Sequence, residues 1–168
     1  MDKEGASIFV DGRFFGGSFS ASRRVSRAPH GGDRLHGHSY DLALKLRQKP
    51  ETQNRLIFSF EELTAIVRTI CDDLNNKVLL ASGGENVYKE DSRSIEYVSA
   101  DNKRYVLPMD DVKLLPVEEV TVEALASWIG QQVVTKLKEH GDYENLVGVE
   151  ITLYEGRQRG CNATVALT

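Results

Sequence analysis

Hydrophobic positions change period several times along the chain, and each change marks an element. In 36–47, "HGHSYDLALKLR", Tyr40, Leu42, Leu44 and Leu46 alternate with Asp41, Ala43, Lys45 and Arg47. A period of two predicts a half-buried strand. Segment 59–74, "SFEELTAIVRTICDDL", carries apolar residues at 60, 63, 66, 67, 70 and 74, a helical face opened by a Ser59/Glu62 capping-box signature. A second helical face runs through Leu125, Trp128, Ile129, Val133 and Leu137, with Thr121 as N-cap and Gly141 as terminator. Strand patterning returns in "LVGVEITLYE", where Val147, Val149, Ile151 and Leu153 form the apolar face, and in "NATVALT". Residues 6–25, rich in β-formers and small side chains, read as one long strand bent near Gly16–Gly17, followed by a loop over 26–33.

Segment 81–117 interrupts this scheme. Its "SIEYVSADNKRYVLP" predicts a hairpin turning at Asp101–Asn102. The resulting order is two strands, a helix, an inserted hairpin, a helix and two strands. That order implies a single antiparallel α+β domain over 1–168, with both helices on one face of the sheet.

Composition narrows the classes without choosing among them. The 168 residues are 40% hydrophobic and 27% charged, enough for a substantial core. A net charge of -4 argues against a general nucleic-acid or membrane-surface role, and no run approaches the roughly 18 apolar residues of a membrane span. Cys71 and Cys161 lack Cys-x-x-Cys spacing, and "MDKEGASIFV" lacks the apolar stretch of a leader, so a soluble, cytoplasmic protein with reduced thiols is expected. Cys71 falls on the core face of its helix, while Asp72, Asp73, Glu90 and Asp91 read as solvated.

Two places carry candidate chemistry. His36, His38 and Tyr40 share one strand face, and imidazoles at i and i+2 commonly present metal ligands, although the pattern also recurs by chance. His30 lies in the preceding loop, and His140 in a polar helix end where solvation is expected. Glu155 falls at the end of an otherwise apolar strand face, where a carboxylate must be paired or must accept hydrogen bonds. It suits either an anchor for a ligand with adjacent N–H donors or a structural partner for Arg157 or Arg159.

The segments "SFSASRRV", "RLHGHSYDLALKLR", "ICDDLNNKVLL", "VTVEALASWI" and "VEITLYE" fall in the order and approximate spacing of the 6-pyruvoyltetrahydropterin and 6-carboxytetrahydropterin synthases. The chain resembles that family over nearly its whole length outside 81–117, whose long connection is similar to that of archaeal members. The resemblance implies a tunnelling (T-) fold, a four-stranded antiparallel sheet with two helices on one face. It also implies a homohexamer, a dimer of trimeric barrels, with zinc-dependent lyase sites between subunits. Such enzymes serve pterin biosynthesis of the tetrahydrobiopterin or queuosine type.

Residue by residue, the resemblance is uneven. The second and third zinc ligands match His36 and His38, but Arg23 stands where the first histidine belongs. The cysteine nucleophile position, four residues before His36, is Gly32, and the Asp-His acid/base pair reads Asn75-Asn76. The pterin-holding positions match Thr121, Glu123 and Glu155. A guanidinium has no lone pair for a metal, and each lost general acid or base typically removes ~10²–10⁴-fold in rate. The expectation is a protein that binds a pterin or related purine-like ring with its lyase machinery dismantled, Arg23, His36 and His38 forming a cationic pocket for a phosphate or carboxylate. Two alternatives stand beside it. One is an active lyase with His30 as substitute zinc ligand, and the other a non-catalytic subunit assembling with an active paralogue.

Overall fold

The computed structural model describes residues 5–27, 32–52, 56–141 and 143–167. The long alternating segment forms β3 (His36–Gln48), the central strand of the molecule. On one side it pairs antiparallel with β9 (Leu146–Glu155), which pairs in turn with β10 (Arg159–Ala166). On the other side β3 pairs antiparallel with two consecutive strands, β1 (Ser7–Asp11) and β2 (Ser18–Arg23). The single bent strand expected over 6–25 is therefore broken by α1 (Gly12–Phe15), one helical turn. Asp11 caps that turn by accepting the Arg13 N–H, and Gly16 ends it at φ 79, a left-handed conformation that favours glycine.

Both long helices pack on one face of this sheet, as the α+β tunnelling-fold expectation requires. The first, α2 (Phe60–Leu74), starts at Ser59, whose Oγ accepts the Glu62 N–H at 3.4 Å. The Glu62 carboxylate turns instead to His140 Nε2, 3.0 Å away, and the His140 ring sits edge-on to Phe58 at 5.2 Å. His140 is exposed, as expected, and also bridges the two helix ends. The second, α3 (Val122–His140), is capped by Thr121 Oγ1, which accepts the Ala124 N–H at 3.1 Å, and ends at Gly141 with φ 96.

Between helices and sheet lies the core. Leu42, Leu44 and Leu46 of β3 and Val149, Ile151 and Leu153 of β9 meet Cys71 and Leu74 of α2 and Leu125 and Ile129 of α3, all 1% exposed or less. Burial pushes the Cys71 thiol up to about 12, so it is an inert packing group. Val147 departs from the expected apolar face and is 38% exposed. The register shifts there: Arg47 opposes Gly148 while Gln48 opposes Leu146, and this irregularity leaves Val147 turned out and Leu146 buried.

The sheet is larger than the four antiparallel strands expected. After α2, β4 (Lys77–Ala81) lies parallel to β2, and β8 (Val112–Leu115) lies parallel to β4. The inserted segment thus leaves from the main sheet and returns to it. Its expected hairpin is β6 (Ser94–Val98) and β7 (Arg104–Pro108), with Asn102 in the turn at φ 63, and β5 (Val87–Glu90) adds a third antiparallel strand. Among the described residues no helix is long and apolar enough to cross a membrane.

Candidate functional site

Three strands converge on one cluster. The β2–β3 register sets Arg23 opposite His36, and the β3–β9 register sets Tyr40 opposite Glu155. Cross-strand partners share a face, so His36, His38 and Tyr40 stand beside Arg23 and Glu155. The His36 and His38 rings meet edge-on at 4.6 Å, and those of His38 and Tyr40 at 5.9 Å.

Arg23 holds the cluster together. Its Nη2 pairs with Glu155 Oε1; its Nε donates to the same oxygen at 3.2 Å and to Tyr40 Oη at 2.9 Å; its Nη1 donates to the Val120 carbonyl at 3.1 Å. Both charged side chains are buried, 9% and 7% exposed. The Tyr40 hydroxyl lies 3.4 Å from Glu155 Oε1, and His38 Nε2 is also 3.4 Å from that oxygen. The other oxygen, Oε2, faces Arg159 Nε at 3.5 Å, and the Arg159 side chain is 73% exposed. Glu155 therefore has one oxygen held internally and one toward a side chain free to move.

The electrostatics follow from this pairing. Burial alone would raise the Glu155 carboxyl, but the Arg23 hydrogen bond and charge, helped by His38 and Arg159, hold it below the ordinary carboxylate range. Burial opposes the Arg23 charge, and Glu155 and Tyr40 more than restore it. His38 is pushed below the usual histidine value, first by burial and then by the Arg23 charge, against the pull of Glu155. Burial raises Tyr40 to about 12 and keeps its hydroxyl neutral. The result is an internally compensated ion pair beside a neutral imidazole, rather than the cationic pocket expected. Each of the three Arg23 guanidinium nitrogens donates to a protein acceptor.

The donor set does not fit the zinc site that the resemblance implies. The His36 Nδ1 contact to the Arg34 carbonyl at 2.6 Å leaves Nε2 as a candidate ligand, but His38 Nε2 is turned to Glu155 and the remaining position is a guanidinium, which has no lone pair to give. Among the described residues no three His, Cys, Asp or Glu side chains are grouped to hold a metal ion. His30, the substitute ligand considered above, lies outside the described residues.

Gly32, Asn75, Asn76 and Thr121 each make close structural contacts. A Cβ on Gly32 would stand 2.6 Å from Arg24 Nη2, 2.7 Å from the Ser26 carbonyl and 2.8 Å from Asp101 Oδ2, so the nucleophile's place is filled by other groups. Asn75 Oδ1 accepts the Ser20 N–H at 2.9 Å, and the Asn76 N–H donates to the Ser20 carbonyl at 2.7 Å, docking the end of α2 on β2. Asn76 does this at φ 58, which asparagine tolerates better than most residues. Thr121 caps α3 directly after Val120, the partner of Arg23, and Glu123 is exposed in its first turn. An open cleft of about 540 Å³ beside His38 is lined by Ser20, Ser22, Ser39, Asn76 and Lys77.

Sequence reasoning put Tyr40 on the face of His36 and His38 without giving it a role, and left Arg24 and Asp101 out of the site. Arg24 and Asp101 are 77 residues apart and gave no local signal.

Comparison with known proteins bears on the family and the fold. A Methanocaldococcus jannaschii protein provisionally named 6-carboxy-5,6,7,8-tetrahydropterin synthase is 32% identical over 151 residues, covering 90% of this chain and 91% of its own. A Pyrococcus abyssi protein of the same provisional name is 27% identical over 80% of this chain and 76% of its own. The solved 6-pyruvoyl tetrahydropterin synthase of Plasmodium falciparum superposes with a TM-score of 0.82 at 20% identity, covering 98% of this chain and 99% of that one, and so shares the fold. The family profile of 6-pyruvoyl tetrahydropterin synthase matches residues 15–165, and the chain belongs to that family.

Proposed function

We propose that this member of the family binds a pterin or related purine-like ring without the zinc-dependent lyase chemistry. The observation that carries this reading is the buried Arg23–Glu155 pair: a permanent cation stands at the first ligand position and is tied to the residue that would anchor the ring. A dication placed beside His36 and His38 would meet that charge and only two imidazoles. Glu155 Oε2 remains the acceptor for a ring N–H once the exposed Arg159 side chain swings aside. Among the described residues the outer edges of β10 and β8 are unpaired within the sheet, which supports assembly into the family's hexameric rings with sites at subunit junctions. Two unpaired cysteines suit a reducing, cytoplasmic setting.

Metal analysis of protein purified without chelator, combined with neopterin titration, tests the reading. Wild type is expected to bind neopterin and carry no stoichiometric zinc, and Glu155→Ala to lose the ligand. Arg23→His places a third imidazole directly across from His36 and is expected to take up roughly one zinc per chain. Wild-type protein holding zinc that is lost on His36→Ala would overturn the metal-free reading. Failure to bind any pterin would overturn the binding role.

A further inference from the structure

Arg24 follows Arg23 on an extended chain, where successive side chains point to opposite sides, so its guanidinium leaves the cluster and meets the insert. The side chain is 2% exposed. It forms a fork-to-fork pair with Asp101 at the tip of the β6–β7 hairpin: Nη1 is 2.7 Å from Oδ1 and Nη2 is 2.7 Å from Oδ2. Nη1 also donates to Ser99 Oγ at 2.8 Å, and Nε and Nη2 donate to the Asp33 carbonyl at 3.2 and 3.0 Å. Asp33 closes the other side, its Oδ1 accepting the Val25 N–H at 2.6 Å and its own N–H donating to the Val25 carbonyl at 3.0 Å.

A second tie runs in parallel. The Ala100 N–H donates to Asn86 Oδ1 at 3.1 Å, and Asn86 Nδ2 donates to the Glu118 carbonyl at 3.0 Å. Glu119 Oε2 then accepts the Ser26 N–H at 2.8 Å, and the next carbonyl, Val120, accepts from Arg23. The hairpin tip therefore grips both edges of the candidate site: the chain leaving β2 and the segment leading into α3.

We propose that the Arg24–Asp101 pair is a latch by which the inserted sheet positions the rim of the ligand site, making Asp101 a positioning residue for binding. A bidentate guanidinium–carboxylate pair fixes orientation as well as distance, which a single hydrogen bond at a loop does not. Without it, residues 24–27 and 32–35 are irregular backbone held by the Val25–Asp33 and Ser26–Glu119 contacts and by no strand ladder, the kind of segment that opens locally more readily than a sheet. The mechanical part of the proposal stands on the contacts alone; its consequence for binding rests on the pterin-binding reading.

Hydrogen exchange on the full chain, compared among wild type, Asp101→Asn and Arg24→Lys, separates the two parts. Both variants are expected to speed exchange at the Val25 and Asp33 amides by roughly tenfold or more, while amides of β3 and β9 stay protected. Neopterin affinity is expected to fall roughly tenfold while Tm falls by only a few degrees, and Asp101→Glu to recover part of the exchange and affinity losses. Unchanged exchange at Val25 and Asp33 in both variants would overturn the latch. So would acceleration spread equally over β3 and β9, which would mark general destabilisation. Wild-type protein that binds no pterin would sink the proposed function, and the exchange data would still decide the latch.

Discussion

Arg23 and Arg24 are consecutive residues, both buried and both paired with a carboxylate, yet they occupy two different regions. Arg23 lies within the body, between sheet and helices, and its partner Glu155 is as buried as it is. Arg24 lies at the seam between body and insert, and Asp101 is 25% exposed on a hairpin tip. In the first region solvent cannot replace a lost partner; in the second it can replace part of one. Two adjacent arginines thus have different consequences, one for the stability of the interior and one for the geometry of a rim.

The sharpest way to break the comparison is to remove each carboxylate. Glu155→Ala leaves the Arg23 charge buried with only Tyr40 and the Val120 carbonyl as partners, and is expected to lose ~3–5 kcal/mol of stability in denaturant unfolding. Removing both charges, as in Arg23→Met with Glu155→Leu, is expected to recover most of that loss, because no ion is then stranded. A double variant as unstable as Glu155→Ala would mean that the loss does not come from a stranded charge.

That pair also marks where the sequence stops being legible. Helices α2 and α3, strands β3, β9 and β10, and the turn at Asp101–Asn102 follow from periodicity and caps at Ser59, Thr121 and Gly141, which are local. The shared face of His36, His38 and Tyr40 follows from strand alternation and is equally local. The α1 break depends on contacts that no neighbouring residue reports: a Cβ on Gly12 would lie 2.2 Å from the Leu42 carbonyl. The turning-out of Val147 depends on a register shift against β3, and the parallel β4–β8 pair joins the two ends of the insert. Glu155 was expected to have either a ligand or a nearby arginine as partner. Arg159 is one partner, but the principal one, Arg23, lies 132 residues away.

Asp101→Asn is expected to have a smaller effect, about 1–2 kcal/mol, because solvent reaches the hairpin tip and Arg24 retains Ser99 and Asp33. Its pH dependence sharpens the contrast. The Arg24 hydrogen bonds hold the Asp101 carboxyl well below the usual carboxylate range. The stabilisation from ionised Asp101 is therefore complete above the unfolded-state pKa of about 4. It is lost as pH falls from there through the depressed folded value. The stability gap between wild type and Asp101→Asn is expected to be flat above about pH 5 and to close in stronger acid. A gap that varied between pH 6 and 8 would assign the effect to a histidine rather than to this carboxylate.

Each arginine also has a tyrosine beside it, and the two act through different chemistry. Tyr40 accepts from Arg23 through its hydroxyl, at 2.9 Å, while the Arg24 guanidinium lies over the Tyr105 ring, 5.9 Å from its centre. Tyr40→Phe keeps the stack on Phe19 at 4.8 Å but removes one acceptor from a buried cation, whose Nε still has Glu155 Oε1 at 3.2 Å. A loss of about 1 kcal/mol is expected by denaturant unfolding. Tyr105→Phe keeps the ring face that attracts the cation, so its stability is expected to be unchanged. Equal losses from the two substitutions would erase the distinction: either the Arg23 hydroxyl contact contributes nothing, or Tyr105 acts through its oxygen. A loss confined to Tyr40→Phe would show that the body requires directional acceptors around its buried charge, while the seam holds its arginine by a carboxylate fork and a ring face.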